Sequence, residues 1–220
     1  MKNVIITGAS RGIGLATAKK FLDEGWFVIG TATSSKRGQL DSPNFKWVTL
    51  DYLRPESISM AVDEIKKLNI GIDVLINNAG ALFEPEDEIK IDILKLRKTL
   101  EVNLIGQVDF TKKILSIISN GGQIINVGSR SAILNEELRD IDAPAYRISK
   151  VAINMYTKLL ARQLGDRGIS VSSIDPGSVK TDMNPQAKKL PEEVAEEMYA
   201  LATTKHTTGQ FWRSGKMRDW

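Results

Sequence analysis

Tyr146 and Lys150 stand four residues apart in Tyr146-Arg147-Ile148-Ser149-Lys150, the spacing that places two side chains on one face of a helix. A free phenol titrates at about 10, so it exchanges protons poorly near neutrality, and a neighbouring cation stabilises its phenolate. The pair therefore suits general acid–base chemistry. Bringing the phenol to neutral pH takes a shift of roughly three units, about 4 kcal/mol, more than one solvated lysine supplies. A second positive charge is expected beside it, and an oxidised nicotinamide ring would be one. Taken alone, the pair reads more simply as an exposed Tyr and Lys on an ordinary helix, so its chemistry depends on its surroundings.

The other end of the chain asks for a nucleotide. The apolar run Val4 to Thr7 breaks into Gly8-Ala9-Ser10-Arg11-Gly12-Ile13-Gly14, and a stretch of helical period follows. Glycines between a first strand and a first helix let backbone approach a pyrophosphate, which the positive helix terminus then faces. Gly8, Ser10, Arg11, Gly12, Ile13 and Gly14 are expected to hold it. The G-x-x-x-G-x-G spacing has one residue more between its first two glycines than the usual fingerprint, so the loop should be wider and reach the adenosine ribose. An NAD site carries an acid about 20 residues further on for the ribose 2′-hydroxyl. Here Thr31 to Arg37 contains none. With Arg11, Lys36 and Arg37 nearby, a 2′-phosphate would be accepted, so NADP(H) is expected over NAD(H), which stays possible. Thr33, Asp51 and Tyr52 are placed with the cofactor. The Asp51 carboxylate could accept a hydrogen bond from an adenine amino group, or simply cap the turn that follows it.

These residues must be carried by an alternating architecture. Val4 to Thr7, Phe27 to Thr31, Trp47 to Asp51, Val74 to Asn77, Gln123 to Val127 and Ser170 to Ile174 read as buried parallel strands. Ile13 to Glu24, Pro55 to Leu68, a long stretch around Ile91 to Asn120, and Tyr146 to Gly165 carry helical spacing. The expectation is an α/β chain with a doubly wound parallel sheet of about seven strands and helices on both faces, a single Rossmann domain over residues 1–220. The least regular stretches follow the C-terminal ends of strands, the edge at which open α/β sheets bind ligands. Substrate loops are therefore expected within 81–90, 130–145 and 182–200.

Composition narrows the classes. A chain of 220 residues with 42% hydrophobic content supports one core. The 30 Lys and Arg against 27 Asp and Glu are scattered, which argues against a nucleic-acid surface. No Cys and a lone His206 exclude thiol catalysis and zinc–thiolate or histidine metal sites, so a metal-free mechanism is expected. The N-terminus shows no signal-peptide pattern, and no apolar run approaches a membrane span. A cytoplasmic protein without membrane partners is expected.

Thr7-Gly8-Ala9-Ser10-Arg11-Gly12-Ile13-Gly14, Asn77-Asn78-Ala79-Gly80, Asn103, Ser129, Tyr146 with Lys150, and Pro176-Gly177 resemble, in order and approximate spacing, the classical short-chain dehydrogenases/reductases. The resemblance covers nearly the whole chain. It implies that Tyr146 is the general acid/base, Ser129 polarises a carbonyl, Lys150 binds the nicotinamide ribose and lowers the Tyr146 pKa, and Asn103 anchors a water relay. It places Asn78, Ala79 and Gly80 beside the cofactor with Tyr146 and Lys150, and Pro176, Gly177, Val179 and Thr181 at the nicotinamide. Gly128-Ser129 replaces the usual Ser-Ser pair and Ser131 stands two residues on, so the serine is the least certain of the four. A closer resemblance is to carbonyl-reductase and C-factor-like members, which share the long segment Arg130 to Ala145 and the tail Thr208 to Trp212.

The function implied is NADPH-dependent reduction of an aldehyde or ketone to an alcohol, with Tyr146 as proton donor. The alternative is a non-catalytic NADP(H)-sensing or scaffold protein of the same fold. An extended epimerase or dehydratase would need a further substrate domain. A small apolar carbonyl substrate is expected, lined by Ala81, Leu82, Phe83, Ile133, Leu134, Ile141 and Met183. The resemblance also implies a homodimer or homotetramer.

Overall fold

Short runs of Val, Ile and Phe become strands because helices cover both faces of the sheet they form, so neither face has to stay polar. The computed structural model describes residues 1–34, 40–85, 88–133 and 142–220. In chain order the strands are β1 (Asn3–Ile6), β2 (Phe27–Ala32), β3 (Phe45–Thr49), β4 (Ile72–Asn77), β5 (Ile118–Val127), β6 (Ser170–Asp175), β7 (Gln210–Arg213) and β8 (Lys216–Arg218). They form one sheet in the order β3-β2-β1-β4-β5-β6-β7-β8. All neighbours pair in parallel except β7 and β8. The sheet thus has eight strands rather than about seven. The additional one closes a hairpin whose turn residues Ser214 and Gly215 both have positive φ, the geometry that matches the twist of paired strands.

The helices are α1 (Gly12–Asp23), α2 (Pro55–Lys66), α3 (Ile93–Leu100), α4 (Gly106–Ile114), α5 (Pro144–Gln163) and α6 (Pro191–Thr203). On one face of the sheet, Ile5, Ile29 and Leu75 pack with Ile58, Ala61, Phe110, Ile114 and Leu160 from α2, α4 and α5. On the other, Val4, Ile6 and Val28 pack with Ala18 and Phe21 of α1 and Val194 and Met198 of α6. Alternate residues of β1 thus enter opposite cores, as a pleated strand requires. No helix among the described residues is long and apolar enough to cross a membrane.

Three boundaries differ from the sequence reading, each for a local reason. The stretch expected as one helix around 91–120 is α3, a π-turn over Glu101–Ile105, then α4 and a 3-10 turn, and β5 starts at Ile118. Helix α5 opens at Pro144, two residues before Tyr146, because proline is pre-set for a first helical position and its missing N–H costs nothing there. Pro191 does the same for α6, whose first turn also carries Glu192 and Glu193, favourable at a helix N-terminus. The irregular part of 182–200 therefore ends at Leu190.

Between the sheet and α4 and α5 lies a buried polar layer. Asn126 Oδ1 accepts from Asn77 Nδ2 at 2.9 Å and from Gln107 Nε2 at 3.2 Å, while its Nδ2 donates to Thr157 Oγ1 at 2.9 Å. Asn126 is fully buried, so its removal takes one hydrogen bond from each of three partners in a medium that cannot replace water; Asn77 and Thr157 keep bonds to Thr111 and Ile153. Asn126→Ala is expected to lower unfolding stability by about 2–5 kcal/mol, read as a drop in the urea midpoint. A loss below about 0.5 kcal/mol would show that the layer does not hold the sheet to these helices.

Candidate active site

The sheet reverses its winding between β1 and β4, and their C-terminal ends open the crevice where such folds bind ligands. Thr7 and Asn78 knit these ends together. The Thr7 hydroxyl accepts from the amides of Asn78 and Ala79, both at 3.0 Å, and Asn78 Nδ2 donates to the Thr7 carbonyl at 2.9 Å. The cleft above them has a volume of about 1020 Å³ and runs from the glycine-rich turn to Tyr146 and the Pro176 to Asn184 segment.

The glycine-rich turn shapes one part of this cleft for the pyrophosphate of a dinucleotide. α1 starts with no side-chain cap and no acid in its first turn, and Gly12, Ile13 and Gly14 line the cavity, leaving helix-terminal N–H groups for an anion. Backbone is packed so closely here that a Cβ on Gly14 would lie 2.2 Å from the Gly8 carbonyl oxygen and 2.5 Å from Asn78 Nδ2. Gly8, Ser10, Arg11, Thr33, Asp51, Tyr52, Ala79 and Gly80 line the same cavity, and at its far side so do Pro176, Gly177, Val179 and Thr181.

Individual residues depart from the simplest expectation. Arg11, largely exposed, forms an ion pair with Asp182 across the cleft mouth. Asp51 Oδ1 accepts from Leu53 N at 3.0 Å, so it caps the following turn while lining the cleft. Tyr52 is buried, its ring packed on Gly106 and near Phe110, and burial pushes its phenol above the usual range. It forms the floor of the cleft from within the core. Phe83, Ala81, Leu82 and Met183 reach the cavity. Lys36, Arg37, Leu134 and Ile141 lie outside the described residues.

Around Tyr146, which lines the cleft with Lys150, side chains come together from three elements. Lys150, buried on α5, donates from Nζ to the Val127 carbonyl at 2.7 Å, and its ammonium lies 5.4 Å from the centre of the Tyr146 ring. Ser129 follows β5, accepts from Ser131 N at 3.1 Å, and is the neighbouring side chain that favours the ionised form of the Tyr146 phenol. Ser131 lines the cavity, with its amide turned to Ser129. Asn103 occupies the π-turn, a helix distortion frequent at functional sites. Its side chain bonds both backbone groups of Ala81, at 2.8 and 2.9 Å, and donates to Ser149 Oγ at 3.1 Å.

Burial sets the proton affinities of the pair. The Tyr146 phenol is pushed up to about 12 by loss of solvent, then by the negative charge of Asp175, with the Ser129 hydrogen bond acting the other way. The Lys150 ammonium is pulled down to about 8 by burial, partly opposed by Asp175. The lysine beside the phenol thus does not bring it towards neutrality in the protein alone, which sharpens the need for a further positive charge. Asp175 was not visible as a site residue in the sequence. It is 2% exposed at the end of β6, accepts from Gly177 N at 2.9 Å, and faces Arg213 Nε at 3.4 Å across the β6–β7 pair. The available signal was an acid ending an otherwise uncharged strand.

Residues 2–192 match the family described as short chain dehydrogenase. The chain belongs to the short-chain dehydrogenase/reductase family. It is 34% identical to the 3-oxoacyl-(acyl-carrier-protein) reductase FabG of Vibrio cholerae, over 83% of this chain and 75% of that protein. It is 30% identical to carbonyl reductase (NADPH) 1 of Mus musculus, over 98% of this chain and 97% of that protein. Among solved structures, the NADPH-bound carbonyl reductase from chicken fatty liver superposes with a TM-score of 0.90 at 25% identity, covering 100% and 94% of the two chains. A short-chain dehydrogenase from Burkholderia cenocepacia in complex with NADP gives 0.83 at 27%, covering 96% and 95%. The chain is an NAD(P)-dependent oxidoreductase of this family.

The glycine-turn geometry has a direct consequence. Gly14→Ala is expected to weaken nucleotide binding at least tenfold, about 1.4 kcal/mol, whereas Gly165→Ala, with no atom within 4 Å of the added Cβ, should bind normally. Equal affinities in a fluorescence titration would contradict the proposed fit.

Proposed function

We propose that this protein is an NADPH-dependent carbonyl reductase that converts an aldehyde or ketone to an alcohol. The observation that carries this reading is that Tyr146 lines the cleft that the glycine-rich turn opens, with the Lys150 ammonium 5.4 Å from its ring centre and Ser129 as the neighbouring side chain that favours its phenolate. When bound, the nicotinamide supplies the hydride. Ser129 donates a hydrogen bond to the carbonyl oxygen, and Tyr146 gives that oxygen its proton as negative charge develops. Preorganised donors at a developing alkoxide lower a barrier by a few kcal/mol, about 3 for a single donor. Lys150 stands where it can hold the nicotinamide ribose, and its charge favours the phenolate left by proton transfer. Asn103, fixed by Ala81, supports the family's role as anchor of a proton relay.

Preference for NADPH rests on Arg11 at the turn and on the absence of an acid between Thr31 and Arg37. The names of the relatives, NADPH-dependent or NADP-bound, point the same way. Arg11 would exchange its exposed partner Asp182 for a 2′-phosphate. The apolar groups lining the cleft, among them Leu82, Phe83 and Met183, favour a small apolar carbonyl compound. Exposed Ile105, Ile148, Met155 and Leu159 on the π-turn and α5 support a homodimer or homotetramer.

Oxidation of NADPH against aldehydes, ketones and quinones tests the reading. Tyr146→Phe should lose about 10²- to 10⁴-fold in kcat. Full activity in that variant would overturn the mechanism, and tight NADPH binding with no turnover of any compound would favour the sensor reading. Arg11→Ala should raise the Kd for NADPH about tenfold, about 1.4 kcal/mol, and leave NADH unchanged. Equal effects on both would remove the arginine from 2′-phosphate recognition.

The pH dependence follows from Lys150. With its ammonium pulled down to about 8, the charge is present below that pH and lost above it, so reduction should be flat from about pH 6 to 7.5 and fall through pH 8–9. A rate that rises across pH 8–9 would contradict a required Lys150 cation.

A further inference from the structure

α5 has an unusual start. Its N-cap is Ala143, a non-glycine residue at φ 47° that offers no side-chain cap, and its first position is Pro144, which has no N–H. The two N–H groups of the first turn that still need acceptors belong to Ala145 and Tyr146. Both go to one residue some sixty positions earlier. Glu84 Oε1 accepts from Ala145 N at 2.9 Å and Glu84 Oε2 from Tyr146 N at 3.0 Å, and Glu84 is only 5% exposed. A carboxylate taking two backbone N–H groups at a helix N-terminus makes charge-assisted bonds and complements the helix dipole.

The carbonyl of the same tyrosine is held from the other side. Ser149 Oγ donates to the Tyr146 carbonyl at 2.7 Å and accepts from Asn103 Nδ2 at 3.1 Å, and Asn103 in turn grips Ala81. Residues 81–84 therefore reach Tyr146 at its N–H directly, through Glu84, and at its C=O through Asn103 and Ser149. The Ala143 amide donates to the Glu88 carbonyl at 2.8 Å, so a later part of the same loop holds the start of the helix as well.

We propose that Glu84 is a positioning residue for the general acid: by gripping the amide of Tyr146 it sets where the phenol stands relative to Ser129 and Lys150. The proposal rests on Tyr146 acting as the proton donor. A loop that lines the cleft at 81–83 and grips Tyr146 also gives contact at 81–83 a short path to that residue, through the chain to Glu84 and one hydrogen bond.

The test is a double-mutant cycle. Glu84→Gln keeps the volume but removes the charge and replaces one acceptor by a donor. In the otherwise unaltered protein it should lower kcat about 10- to 100-fold, below the ceiling of general acid catalysis, with the Kd for NADPH within about twofold. In a Tyr146→Phe background, where single-turnover assays with excess enzyme read the residual rate, it should have no further effect. Equal losses in both backgrounds, or no loss in the first, would overturn the positioning role and leave the mechanism standing. Full activity of Tyr146→Phe alone would overturn the mechanism and the positioning role with it. If Glu84→Gln fails to fold, Glu84→Asp is read in the same cycle: it keeps the charge but is too short for both amides, so its smaller loss must also vanish when the phenol is absent.

Discussion

The hydrogen bond from Lys150 Nζ to the Val127 carbonyl is the tie on which the site depends. It fastens the buried face of α5 to the end of β5, two residues before Ser129 leaves the strand. One bond thereby sets the helix that carries Tyr146 in register with the strand that delivers the serine. An ammonium buried this deeply is costly, and a single neutral acceptor does not offset its lost hydration. Asp175, at the end of the adjacent strand β6, contributes the opposite charge and is itself steadied by the Gly177 amide and by Arg213. Lys150, Asp175 and Arg213 thus form a set of charges supplied by α5, β6 and β7.

That set explains why the phenol and the ammonium are displaced in opposite directions. Burial disfavours the charged form of each, and Asp175 favours protonation of both. Without a second cation in the cleft, the proton stays on the tyrosine. A tyrosine held this way stays protonated until the neighbouring space gains positive charge, and in the proposed reaction an oxidised nicotinamide would supply that charge.

Much of this was legible in the chain because it is local. β-branched runs gave the strands, the glycine turn gave the nucleotide end, and the four-residue spacing of Tyr146 and Lys150 gave the shared helical face. What was hidden is non-local. The π-turn that turns Asn103 towards Ala81 has no periodic signature, since Glu101 to Ile105 reads as ordinary helix. The carboxylate that caps α5 comes from Glu84, some sixty positions earlier in the chain. The direction of the Tyr146 shift is likewise invisible in spacing, which shows that a cation is near but not how much water is lost. The antiparallel β8 was missed because its residues, Lys216 to Arg218, are polar and exposed and carry no buried-strand pattern.

The central claim is that Tyr146 becomes an effective acid–base group only when positive charge enters the cleft beside Lys150. Tyrosine labelled with carbon-13 at the ring position bearing the hydroxyl reports this directly, with the Tyr146 signal assigned by its loss in Tyr146→Phe. The phenol should titrate near 12 in the protein alone and fall below the ordinary value of about 10 when NADP⁺ is bound. A Tyr146 pKa that is already below 10 without the cofactor, or that does not move on its addition, would contradict the account.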